Sequence, residues 1–171
     1  MKKALAAFLL AALAAGPVLA LDLTPLQIGL AGERAQLFPS QTQVMGLRLN
    51  LAVSDNQEVM GLDAGLVSKA GRMDAIQLNL VNLVEADFTG ISAGLFNQVG
   101  SMAGLQAGLF NQVAHDVSGF QLRLFNTADD VSGFQVGLIN RTVSIRGVQL
   151  GLVNLIEQGP LTFFPILNAA F

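Results

Sequence analysis

Cysteine, tryptophan and tyrosine are absent from this chain, and histidine occurs once, at His115. Without cysteine there is no disulfide framework and no residue for an N-terminal lipid anchor. With no thiolate and one imidazole, zinc and iron sites lack the several ligands they need. Charge is scarce as well: 12% of residues are Asp, Glu, Lys or Arg, against about 25% in an ordinary soluble domain. Acidic residues outnumber basic ones, 12 to 9, which excludes a basic nucleic-acid footprint. Hydrophobic residues reach 52%, yet beyond the first twenty residues no long apolar run occurs. A helical membrane protein is therefore excluded, and the apolar content must be distributed by alternation.

The first residues, "MKKALAAFLLAALAAGPVLA", have the grammar of a secretory signal. Lys2 and Lys3 precede a short apolar run, and Val18-Leu19-Ala20 supplies small residues for cleavage after Ala20. Residues 1–20 are read as a cleaved signal and 21–171 as a single all-β repeat domain. Export of a chain without disulfides fits a bacterial envelope.

What is present in excess is one phrase. "GLQAGLFN" at 104–111 returns as "GFQLRLFN" at 119–126, "GFQVGLIN" at 133–140 and "GVQLGLVN" at 147–154. Units end at Asn82, Asn97, Asn111, Asn126, Asn140, Asn154 and Asn168, a period of 14 or 15 residues. Degenerate units begin at Gly46 and Gly61, and a first one, "PLQIGLAG", starts at Pro25, making ten. The stretch "ERAQLFPSQTQV" is inserted after the first. Such fixed-period similarity is the architecture itself. Positions two, four and six of each unit are apolar, as in Phe134, Val136 and Leu138, whereas positions one, three and five are mostly Gly, Gln and Gly. A period of two means β-strand, and interior glycines disfavour helix.

Charge placement suggests the solvent on each side. Within the units only Arg48, Asp63 and Arg123 are charged, all on the Gly/Gln face. A lipid-facing charge at mid-depth costs about 2–4 kcal/mol, and a transmembrane barrel would show this avoidance. The leading expectation is therefore a ten-stranded antiparallel meander closed as a small transmembrane β-barrel in the bacterial outer membrane. Lipid would be its partner, and its role structural or that of a narrow passive pore. A terminal aromatic, Phe171, on the last unit agrees with it. Arg48, Asp63 and Arg123 would then be lumen-facing charges, with Arg48 and Asp63 at one repeat position on neighbouring strands and able to pair.

The alternative is a parallel β-solenoid with one 14–15-residue repeat per coil, in the periplasm or on the cell surface. It would act in binding or adhesion through a flat Gln/Gly face. It explains directly why the asparagines recur in one polarity, as a stacked ladder. Absent Tyr and Trp, which leave no aromatic girdle, and Pro165 within the last strand also favour it.

The G-φ-Q-φ-G-φ-φ-N unit (φ apolar), the entry "VMGLRLNLAVSDNQEVMGLDAGLV" and the ending "FFPILNAAF" resemble a family of exported bacterial surface-repeat proteins. That family is defined by tandem GLQxGLxN repeats of 14–15 residues. The resemblance covers the mature chain and implies export, with no established activity or catalytic residues. Arg123 departs from it in place of the second Gly of its unit, and Ala75 in place of the first.

Catalytic constellations are not found. His115-Asp116 and Asp129-Asp130 read as solvated turns rather than metal sites, because calcium alone would want six or more oxygens. Ser118 and Ser132 precede glycines with no nearby base. No glycine-rich loop opens a helix to cradle phosphate. The expectation is a non-enzymatic protein with no cofactor, no metal, no nucleic-acid partner and no predictable small-molecule ligand.

Overall fold

The computed structural model describes residues 22–171; the segment read as a cleaved signal lies outside the described residues. The described chain is all-β and forms one sheet in sequential order. Its strands are β1 (Leu23–Gly29), β2 (Gln43–Val113), β3 (Asp116–Leu122), β4 (Phe125–Val136), β5 (Ile139–Ile156) and β6 (Phe163–Ala170). Such a long β2 is several consecutive coils whose extended backbone runs through the corners without a conventional turn.

Neighbouring units are parallel and in register. Gly119 pairs with Gly133, Phe120 with Phe134 and Gln121 with Gln135, and the same columns continue to Gly147, Val148 and Gln149. β1 joins β2 in the same sense, Gln27 opposite Arg48 and Ile28 opposite Leu49. This is a β-solenoid with one repeat per coil, and it overturns the expected antiparallel barrel. A meander would put Asn126 and Asn140 at opposite ends of adjacent strands; here they are direct partners. Only β6 runs antiparallel, Leu167 against Leu150 and Ala169 against Val148, so the tenth unit folds back on the ninth.

The inside of the coil is lined by four kinds of row. Two residues before each unit stands a buried apolar side chain, from Val44 through Phe88 and Val117 to Ile145. Position three gives a buried Gln row, position eight a buried Asn row, and position ten a second apolar row that includes Val99, Val113 and Ile156. Positions two, four and six point outwards, because residues two apart in a strand share a face. Positions six and seven both point outwards, as with Leu109 and Phe110 or Leu138 and Ile139, because the chain bends there. That bend explains why position seven is apolar without lying on the Gly/Gln side.

Glycine at position one is dictated by close approach. Gly104 (φ 125°) and Gly119 (φ 137°) lie in backbone conformations that side chains rarely adopt. A Cβ on Gly119 would collide with the carbonyl oxygen of Gly104 one coil below. At the N-terminal end the insertion after β1 covers the interior. The side-chain amide of Gln27 donates to the Phe38 carbonyl at 2.8 Å and accepts from the Phe38 N–H at 3.0 Å.

Gly119→Ala is expected to cost about 1–3 kcal/mol from backbone strain alone, with the steric collision adding to it. Ala75, which holds the same repeat position without a positive φ, should accept Gly with at most about 1 kcal/mol of loss. Urea-unfolding midpoints of the two variants would check the difference.

Candidate functional site

Beside its two apolar rows the interior buries two rows of amides, while the exterior is apolar along positions two, four and six, an arrangement unlike that of an ordinary globular domain. Burying an amide without a partner costs about 1–3 kcal/mol. The in-register stack removes much of that cost by letting an amide bond to its copy in the next coil. Gln149 donates to Gln135 at 2.8 Å, and Gln135 to Gln121 at 2.9 Å. Asn126 donates to Asn140 and Asn140 to Asn154, both at 2.7 Å. The remaining Asn140 donor reaches across the coil to the Leu150 carbonyl at 3.0 Å. The Gln/Gly face is therefore inward and cannot serve as the adhesive face of a solenoid.

Arg48 and Asp63 belong to the Gln row. Both are fully buried, and Arg48 Nε lies 2.7 Å from Asp63 Oδ1. They face the interior of the coil, where no barrel lumen exists. Asp63 also accepts from Asn50 at 2.7 Å and from Asn79 at 2.8 Å. Arg48 donates further to Ser68 and to the Lys69 carbonyl. Burial alone would raise the Asp63 pKa; the Arg48 charge and the hydrogen bonds from Arg48, Ser68 and Asn50 overcome it and hold the carboxyl below its ordinary value.

Arg123 points into the same interior but meets no carboxylate. Its guanidinium extends over the space left by Gly108 and donates to the carbonyls of Ala107 and Phe110. Nε has no partner, and burial lowers the pKa to about 9, so the group is still cationic at neutral pH. The neighbouring ladder breaks at this place: both side-chain polar atoms of Asn111 lack partners. The three charges are not brought together, since Arg123 stands four coils beyond Asp63.

His115, Asp116, Asp129 and Asp130 are exposed in the stretches between units, away from positions two, four and six. A shallow groove of about 790 Å³ runs there past Asp87, Asp116 and Asp130, flanked by Arg72 and Arg146. Arg72 and Asp87 form an exposed pair at 3.3 Å. Among the described residues no group of three or more His, Asp or Glu could hold a metal ion. Ser118 and Ser132 are exposed on this groove, each beside its glycine, with no base facing them among the hydrogen bonds of the described residues.

The surface that stands out is the apolar side. Position six is leucine in eight consecutive coils, Leu51, Leu66, Leu80, Leu95, Leu109, Leu124, Leu138 and Leu152, and all eight are exposed. Leu152 reaches 66% and Leu51 56%. The position-two row adds Leu62, Ile76, Ile91, Leu105 and Phe134, also exposed. Phe110 and Phe125 stack at a ring-centroid distance of 5.3 Å along position seven. The sequence displayed this alternation, but not which face would be covered; the clean separation of charge from the position-six column was the available signal.

Asp63→Ala should destabilise the fold by about 3–5 kcal/mol, because Arg48 is left buried without its counter-charge. Arg48→Gln with Asp63→Gln should recover most of that loss by extending the Gln ladder. The folded pKa of Asp63 is depressed, so the pair's stabilisation is complete above the unfolded value of 3.8 and is lost as pH falls through the folded value. Acid should thus lower the denaturation midpoint of wild type relative to that of the double variant, which has neither charge. Arg123→Gly should stabilise by about 1–4 kcal/mol. Arg123 has a lower pKa folded than unfolded, so wild type gains stability as pH rises above about 9 and its deficit against Arg123→Gly narrows.

Comparison with protein-family models, with curated proteins and with solved structures yields no match to this chain, so the functional reading rests on the repeat geometry and the exposed leucine side.

Proposed function

We propose that the protein is an exported, surface-attached or periplasmic β-solenoid that acts as a non-enzymatic binding or adhesion module. The observation that carries this reading is the segregated exterior: a continuous apolar side along the coils, with the charged residues on the other side. A monomer's largest apolar patch is ordinarily about 300–600 Å², and larger ones mark interaction surfaces. The signal-like first twenty residues and the resemblance to exported surface-repeat proteins support the location. Most polar groups of the interior are engaged in one another, Asn111 and Arg123 Nε being among the exceptions, and the side-chain groups on the groove are solvated. Binding through the leucine side requires no moving part, since rigid parallel rungs present it already ordered.

Fractionation of producing cells should recover the chain outside the cytoplasm without detergent. Cells exporting it should adhere to a hydrocarbon-coated surface several-fold better than cells exporting an equal amount of a variant with Leu95→Asn, Leu109→Asn and Leu124→Asn. Equal adherence of the two would sink the assignment of the leucine side as the binding surface.

A further inference from the structure

Positions two, four and six form three adjacent outward rows over eight coils, from the unit at Gly46 to that at Gly147. With coils about 4.8 Å apart and rows about 7 Å apart, this side measures roughly 38 by 20 Å, or about 750 Å². That matches the about 800 Å² per partner of a standard protein–protein interface. We propose that a second copy of the same chain covers it, face to face, as a two-fold dimer with the solenoid axes antiparallel. The inference rests on the binding-surface reading above and names its partner.

The middle row decides the arrangement. Position four reads Leu49, Ala64, Leu78, Ala93, Ala107, Leu122, Val136 and Leu150 along the coils, three small residues among five large. Parallel copies, which match each coil with itself, would set leucine against leucine and alanine against alanine. Antiparallel copies without a shift would do the same, bringing Leu78 to Leu122 and Ala93 to Ala107. A shift of one coil changes this. With the two-fold axis at Ala107, Ala93 faces Leu122, Leu78 faces Val136 and Ala64 faces Leu150. Position two follows, with Phe120 opposite Ile91 and Phe134 opposite Ile76. The C-terminal strand is included, because Leu167 prolongs the position-four row beside Leu150 and is itself exposed. Two alanines then face leucines, Ala93 against Leu122 and Ala64 against Leu150, which relieves the leucine-on-leucine and alanine-on-alanine contacts of the unshifted arrangement as close packing favours, and an isologous interface makes each of these pairs occur twice.

The surface chemistry favours a copy over a lipid bilayer. Interfacial docking draws on Trp and on Lys or Arg, the latter for attraction to anionic lipid. Here Trp and Tyr are absent and acidic residues predominate. A second solenoid, in contrast, offers side chains at the identical coil spacing, so that rows interdigitate along their whole length.

Sedimentation velocity of the wild-type chain at micromolar concentration should show a dimer, and Ala107→Arg should show a monomer with an unchanged far-UV spectrum. The chain has no cysteine, so Ala107→Cys reports contact cleanly: mild oxidation should crosslink it into dimers, whereas Glu85→Cys, on the opposite side, should stay uncrosslinked. Should Ala107→Arg fail to fold, the crosslinking result decides. A wild-type monomer, or equal crosslinking at both cysteines, overturns the dimer. If that monomer floats with phosphatidylcholine vesicles, the binding surface stands and its partner is lipid. A monomer that binds neither a copy nor vesicles overturns the binding-surface reading as well.

Discussion

Everything in this structure depends on strict register between parallel coils. A buried primary amide is a liability in isolation, because it carries two donors and an acceptor that water no longer satisfies. Stacked at the strand spacing, the amide of Gln135 donates to Gln121 while accepting from Gln149, and each added coil completes the one before it. The same repetition that satisfies the amides lets glycine backbones approach, and the outward columns of leucine follow from it. A one-residue slip would break all three at once.

Where the register row is occupied by something other than Gln, the structure shows what the ladder can absorb. Arg48 and Asp63 sit in consecutive coils, and they replace an amide-to-amide bond by an ion pair in which the earlier coil donates, the reverse of the Gln row. Ser92 fits by donating to Gln77 Oε1 at 3.1 Å. Arg123 is a different case. It enters at the glycine position, has no counter-charge, and coincides with the one asparagine, Asn111, whose side chain loses both partners. The fold thus tolerates a substitution along the row better than a bulky group between rows.

The ends and the outside are treated separately from the interior. The insertion after β1 supplies a backbone amide and carbonyl to Gln27, the first member of the row. At the other end β6 reverses direction and pairs antiparallel with β5, a role for which Pro165 is suited because a terminal strand leaves one edge unpaired. Stacking units of this kind requires atypical terminal repeats. The exterior is divided lengthwise into a leucine side and a charged side, so the molecule is amphipathic about its long axis.

All-β architecture, the repeat period and the one-sided placement of Arg48, Asp63 and Arg123 were legible in the sequence, because a strand's side-chain period of two is a local property. So was the equivalence of Arg48 and Asp63 within the repeat, from which their contact follows once coils stack. Strand direction was not legible. The same alternation serves antiparallel neighbours in lipid and parallel coils, and the lipid-avoiding pattern of charge favoured the barrel. Only the tertiary structure decided that Gln and Asn turn inwards, for a physical reason no single strand contains: an amide becomes cheap to bury when an identical amide lies one strand spacing away, and that partner exists only after the chain has wound parallel upon itself.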